Sequence, residues 1–135
     1  MNLVEVVSGE QTLDTVRDAA VALASAMGKT PICVQDMPGF VVNRVLMPMI
    51  NEAANTLMQG VASAEAIDEC MKLGCNHKLG PLALADLVGL DVVHAILEAL
   101  YSEFGSPHYK PCALITKKVE AGLLGTKSGR GFYTY

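Results

Sequence analysis

Asp36 to Ala53, DMPGFVVNRVLMPMINEA, is the stretch where the chain changes character. Upstream the text alternates in the manner of strands; from here on it is spaced as helices. The spacing predicts a helix from about Pro38 to Gln59, with Asp36 able to cap it and Pro48 inside it, where the missing N–H and the ring bend the rod. On such a helix the neighbours of Asn43 at three, four and seven residues are Phe40, Leu46, Met47 and Ile50, all apolar. An amide on an apolar face is costly, about 1–3 kcal/mol if it finds no partner, so protein or ligand is expected to meet it.

Working outward, LVEVV at residues 3–7 reads as a short Val-rich strand. Thr12 to Met27 has helical spacing at Leu13, Val16, Ala20, Leu23 and Met27, with Thr12 as the expected cap and Gly28 as the stop. TPICV at 30–34 is the second strand. Strand, helix, strand in so few residues is a βαβ unit, and two strands do not make a parallel sheet covered on both faces, so the unit reads as the torn edge of a larger one. Downstream the helices are expected from Ser63, as the cap, to Leu73 with Gly74 as the stop, from Pro81 to Val88, from Asp91 to Phe104 with Gly105 as the stop, and from Pro111 to Gly122, followed by the glycine-rich tail LGTKSGRGFYTY. The division expected is residues 1–36 as strand-helix-strand and 37–135 as a helical domain.

With 135 residues the chain has room for about one core. Counting glycine and leaving out tyrosine, roughly 57% of it is apolar, above the roughly 45–50% of ordinary domains, which points to surface that something else covers. The net charge is −4 and the ten Lys and Arg residues are scattered. That composition argues against nucleic acid and against a polybasic membrane patch, and no long uncharged apolar run suggests a membrane span. The opening MNLVEVVSGE carries no secretory pattern, so the expected location is cytoplasmic. Cys33, Cys70, Cys75 and Cys112 lack CxxC spacing and read as reduced, small core residues.

Several side chains are candidates for chemistry. Glu5 shares its strand face with Leu3 and Val7, which offers a carboxylate to apolar surroundings; the bland alternative is an edge residue in water. Asn43 has the amide suited to donating to an oxygen that gains charge, because it holds one protonation state throughout; the bland alternative is an amide that pins a neighbouring loop. Of the three histidines, His94 sits among apolar residues, His108 lies in a turn, and His77 borders a helix end, none with an acid at a telling distance. Cys70, Cys75 and His77 do not match a zinc spacing, and no metal is expected. Lys127, in GTKSGRGFY, is within reach of a phosphate or a polar cofactor group, although the text matches neither the dinucleotide fingerprint nor a P-loop and a solvated loop explains it as well.

LVEVV, DMPGFVVNRVLMPMINEA, GVASAEAIDECMKLG, HKLGPLALADLVGLD and TKSGRGFYTY, in this order and spacing, resemble the C-terminal part of bacterial-type 3-hydroxyacyl-CoA dehydrogenases, the short-chain kind called 3-hydroxybutyryl-CoA dehydrogenase. The resemblance covers essentially the whole chain. It implies a mainly α fold: a helical C-terminal dimerisation domain preceded by the last strand, helix and strand of an NAD-binding Rossmann domain. It implies oxidation of a (3S)-3-hydroxyacyl-CoA to the 3-ketoacyl-CoA in fatty acid metabolism, with NAD as cofactor, an acyl-CoA substrate and a homodimer formed through the helices. By position, Glu5 matches the glutamate that pairs with the family's catalytic histidine, and Asn43 the asparagine that touches the reacting oxygen. Lys127 matches the lysine that reaches NAD. Gly80, Pro81 and Leu82 match the loop bordering the acyl end, which makes Pro81 and Leu82 expected substrate contacts.

The chain departs from the family pattern in containing neither GxGxxG with its acidic ribose partner nor the HFFNP-type segment that supplies the histidine. These 135 residues alone are therefore expected to be inactive. Two competing readings stay open: a non-catalytic helical dimerisation module, and a dehydrogenase of another 3-hydroxy acid.

Overall fold

Strand β1 (Leu3–Ser8) pairs in parallel with β2 (Thr30–Gln35), placing Glu5 opposite Ile32. Parallel neighbours need a crossover, and α1 (Asp14–Ala26) supplies it. The expected Thr12 cap is not used. Leu13 holds the cap position and makes no side-chain bond there, while Thr12 closes a turn by donating its N–H to the Gly9 carbonyl. Gly28 does stop the helix, in the left-handed region at φ 70°. The apolar row predicted for α1 exists, but Leu13, Val16, Leu23 and Met27 all stand exposed.

All 135 residues are described in this computed structural model, and they divide into two compact units, Met1–Arg44 and Val45–Tyr135. The division falls inside helix α2 (Val42–Met58). The fold is mainly α, with six helices and a two-stranded parallel sheet.

Helix α2 begins four residues after the expected Pro38, for a reason visible in the backbone. Gly39 and Phe40 both have positive φ, 77° and 45°, so the chain turns there and Phe40 is not one of Asn43's helical neighbours. Once started, α2 continues through Pro48 without a break. Helix α3 (Ala64–Cys75) starts under the expected Ser63 cap, whose hydroxyl accepts from the Ala66 N–H. It runs past the expected stop at Gly74 and ends on left-handed Asn76.

In the second unit, α4 (Pro81–Val88), α5 (Leu90–Phe104) and α6 (Ala113–Glu120) close a core with α2 and α3. Leu90, Val93, Leu97 and Leu100 recur every three or four residues, so they form one face of α5, and all are buried. They meet Met47, Ile50 and Ala54 of α2, Leu82 and Ala85 of α4, and Ile115 of α6. Each large side chain so buried stabilises the unit by about 1.5–3 kcal/mol before entropy is counted.

Two expectations need correction. Only Cys112 is a core cysteine; Cys33, Cys70 and Cys75 are exposed free thiols, because helix and strand pattern put them on outer faces. His94 does have an acid partner, Glu98, one helical turn on, at 3.6 Å.

Candidate active site

The first unit brings Glu5 to the start of α2. Four N–H groups at a helix N-terminus lack intrahelical acceptors, and the residue preceding α2 is Val41, which has no side-chain oxygen to offer. The acceptor comes from the strand instead. Glu5 Oε1 receives the N–H of Val41 at 2.9 Å and that of Val42 at 3.3 Å. Asp36, the expected cap, does not serve. A carboxylate suits the position because the helix N-terminus carries partial positive charge. Glu5 Oε2 stays uncommitted, and the side chain is half-buried, not in open water.

Asn43 follows directly in the first turn, half-buried, and its carboxamide makes no hydrogen bond within the chain. Contrast Asn51 on the same helix. The Asn51 amide donates to the Lys110 carbonyl at 2.9 Å and accepts the Cys112 N–H at 2.7 Å, which pins the loop before α6. One asparagine of α2 thus does the structural work that was the bland alternative for Asn43. The other keeps two donors and an acceptor unused within the chain.

Strain accompanies Asn43. A phenylalanine at φ 45° costs about 1–2 kcal/mol relative to ordinary helical backbone, since its Cβ crowds the following carbonyl. What holds the turn is the Phe40 N–H on the Met37 carbonyl at 2.9 Å, the Arg44 N–H on that of Gly39 at 3.1 Å, and the Glu5 cap.

In the second unit, Pro81 and Leu82 open α4, and both are buried in the core, Leu82 completely. Their side chains face the protein interior, so any part they play at a ligand is through the backbone they shape. That backbone is held by Asp68 of α3, whose two carboxylate oxygens accept the N–H groups of Leu82 at 2.8 Å and Ala83 at 2.9 Å. The Tyr133 hydroxyl donates to the same carboxylate at 2.8 Å. Gly80 is required here because a Cβ would fall on the Asp68 side chain.

Asp86, fully buried on α4, organises the tail. Its carboxylate accepts the N–H groups of Phe132 and Tyr133, each at 2.9 Å, and the Tyr135 hydroxyl at 3.2 Å; its carbonyl accepts the Thr126 hydroxyl at 3.1 Å. Gly125 and Gly131 lie so close that a Cβ on either would collide with Asp86. Two of the three glycines of GTKSGRGFY, Gly125 and Gly131, therefore serve this close approach. Burial and Asp86 push the Tyr135 hydroxyl up to about 12 even though the ring itself is largely exposed, because its oxygen reaches in to a buried carboxylate. Tyr133 is raised further, by burial first and then by its bond to Asp68.

Lys127 projects from this tail and pairs with Asp91 in the first turn of α5, Nζ to Oδ1 at 2.5 Å. Both side chains remain about two-fifths exposed (43% and 40%). The hydrogen bond from Lys127 holds the Asp91 carboxyl below the usual carboxylate range, against a smaller opposing effect of burial. A Cβ at Gly89 would lie 2.7 Å from Lys127 Nζ, so the bare glycine is what lets the ammonium lie down there.

Of the residues expected from sequence, Glu5 and Asn43 are joined through two intervening amides in the first unit. Lys127, Pro81 and Leu82 belong to the second, in two separate settings. Asp68, Asp86 and Asp91 join them as polar anchors that the sequence candidates do not include. The signal for Asp86 was available: an acid four residues after Leu82 and next to Ala85, on an apolar helical face, raises the same question that Asn43 did.

Comparison with known proteins gives the family. The family 3-hydroxyacyl-CoA dehydrogenase, C-terminal domain, matches residues 39–135, and the family 3-hydroxyacyl-CoA dehydrogenase, NAD binding domain, matches residues 1–37. The whole chain is 57% identical to 47% of a probable 3-hydroxybutyryl-CoA dehydrogenase of Bacillus subtilis. It is 53% identical to 48% of a 3-hydroxybutyryl-CoA dehydrogenase of Clostridioides difficile, again along its full length. Among solved structures, (S)-3-hydroxybutyryl-CoA dehydrogenase from Ralstonia eutropha superimposes on it with a TM-score of 0.96 and 57% identity, over 100% of this chain and 48% of that one. The chain spans about half the length of the curated relatives it matches. With both family matches end to end along it, this chain belongs to the 3-hydroxyacyl-CoA dehydrogenase family.

Proposed function

We propose that this chain is part of an NAD-dependent dehydrogenase that oxidises (3S)-3-hydroxyacyl-CoA to 3-ketoacyl-CoA, with the short, 3-hydroxybutyryl class as its substrate. The observation that carries the reading is the pairing of a half-buried, unbonded Asn43 carboxamide with a Glu5 carboxylate that has one oxygen committed and one to spare. Asn43 donates to the oxygen on C3, whose negative charge grows as its proton leaves, and an amide fixed on a helix does this without changing protonation state. Glu5 Oε2 accepts from a histidine supplied outside residues 1–135, orienting the ring and favouring its protonated form. The hydride acceptor at C3 is NAD, which supplies that chemistry when bound.

The residues present fit the margin of such a cofactor. β1 and β2 end side by side at Ser8 and Gln35, and the carboxyl ends of parallel strands are where open α/β sheets seat nucleotides. In the second unit Lys127 offers a partly exposed ammonium. Neither amounts to a pyrophosphate cradle, which needs a glycine-rich turn into a helix. Pro81 and Leu82 set the backbone bordering the acyl end, held by Asp68.

A homodimer through the helical unit is supported by its exposed apolar side chains, among them Val45, Val61, Leu73 and Leu87. The same residues favour the second reading, a helical assembly module. Exposed free thiols at Cys33, Cys70 and Cys75 fit a reducing, cytoplasmic setting. No helix is long and apolar enough to cross a membrane.

The test is turnover by the protein as the cell makes it, with (3S)-3-hydroxybutyryl-CoA and NAD, beside free 3-hydroxybutyrate. Reduction of NAD with the thioester alone supports the proposal. Turnover of the free acid in preference points to the related 3-hydroxy acid dehydrogenases, and turnover of neither, with a dimer by sedimentation, points to the assembly module.

A further inference from the structure

We propose that Glu5 has a second task in the same site: it is the positioning residue that aims Asn43, through the amides of Val41 and Val42. The inference rests on the functional reading just given and adds to it a physical link between the two side chains.

Three observations lead to it. Helix α2 starts without any capping side chain of its own, with only Val41 between it and two residues at positive φ, one of them a phenylalanine. A turn of this kind unwinds readily unless something outside it holds the first helical amides. Glu5 Oε1 does so from the neighbouring strand, at 2.9 and 3.3 Å, and the next residue along is Asn43. A bound carboxylate oxygen therefore fixes the height and rotation of the first turn, and with it the direction of the Asn43 carboxamide. The two oxygens of Glu5 are divided between tasks: Oε1 holds the helix, and Oε2 is left for chemistry.

Gln and Ala at position 5 separate these tasks. Both are uncharged, but Gln keeps an acceptor at the end of an equally long side chain, whereas Ala has none. The experiment measures kcat/KM for reduction of acetoacetyl-CoA by NADH, in the protein as the cell makes it. The variants are Glu5→Gln and Glu5→Ala, each with Asn43 intact and with Asn43→Ala. Amide hydrogen exchange at Val41 and Val42 is followed alongside.

With Asn43 intact, Glu5→Ala is expected to fall about tenfold below Glu5→Gln, and its Val41 and Val42 amides to exchange at least about tenfold faster. In the Asn43→Ala background the gap between Gln and Ala is expected to close to within about twofold, because there is no longer a carboxamide to aim. Equal exchange in the two position-5 variants overturns the inference, as does a gap that persists without Asn43. If Glu5→Ala does not fold, Glu5→Asp replaces it: the charge stays, the reach is one methylene short, and the same loss relative to Gln is expected, with equality to Gln overturning the idea. If Asn43→Ala alone leaves turnover unchanged, the functional reading itself has failed, which is a different result from any of these.

Discussion

Asp86 and Tyr133 are 47 residues apart along the chain, yet the Tyr133 backbone N–H donates to the Asp86 carboxylate at 2.9 Å. With Phe132 and Tyr135 on the same carboxylate, one buried acid gathers the tail that carries Lys127. Removing the carboxylate leaves these donors behind and opens a hole in α4. Asp86→Ala is expected to lower the free energy of unfolding by about 3 kcal/mol, read from the urea midpoint. A loss below about 0.5 kcal/mol would mean that solvent replaces Asp86 without cost.

The glycines provide a graded test. Gly129 sits at φ 77° with open space around it, so Gly129→Ala pays only for backbone conformation, about 1 kcal/mol. Gly80→Ala must also displace Asp68 from the start of α4, and is expected to cost more than about 2 kcal/mol. Thermal or urea unfolding of both variants checks the order; equal losses contradict the tight fit described at Gly80.

Alkaline pH should loosen the tail. The Tyr135 hydroxyl is raised in the fold from an ordinary value of 10.0 to about 12, so the folded state prefers the protonated phenol. For a group raised in this sense, its stabilising contribution is whole below the unfolded value and disappears as pH climbs toward the folded one. Stability is therefore expected to decline between pH 10 and 12, and less steeply in Tyr135→Phe. Unfolding curves across that range, with and without the hydroxyl, measure this; identical slopes remove Tyr135 from the explanation.

Lys127 is expected to serve the cofactor and not the acyl group. Lys127→Met should weaken NADH binding about tenfold, with the difference shrinking at high salt as expected for a partly exposed charge. Fluorescence titration gives the dissociation constant directly. An unchanged value, with the Lys127–Asp91 pair lost, would assign the lysine to structure alone.

Much of the architecture was legible in the sequence because it is local. The apolar period of α5, the Ser63 cap, the Gly28 and Gly105 stops and the parallel strand pair all follow from residues near one another. Sequence and structure differ where a distant partner decides the outcome. Helix spacing alone puts the start of α2 too early because its cap is Glu5, 36 residues upstream of Val41, and because a phenylalanine in the left-handed region has no sequence signature. The resemblance makes Pro81 and Leu82 substrate contacts, and nothing nearby in the sequence shows that their side chains are buried or that Asp68 holds their backbone. Asn43 stands out as a candidate because an amide among apolar residues is conspicuous, and Asp86 is equally conspicuous. The pairing of Lys127 with Asp91 depends on the tail's path, which local spacing does not reveal.

The central claim is that the Asn43 carboxamide meets the reacting oxygen. Asn43→Ala, in the protein as the cell makes it, tests it through kcat/KM for acetoacetyl-CoA reduction measured beside the NADH dissociation constant. The account predicts a loss of about 10²–10³ in kcat/KM, the usual consequence of removing one oxyanion donor, with NADH affinity unchanged within about twofold. Turnover within about twofold of the unsubstituted protein would contradict it.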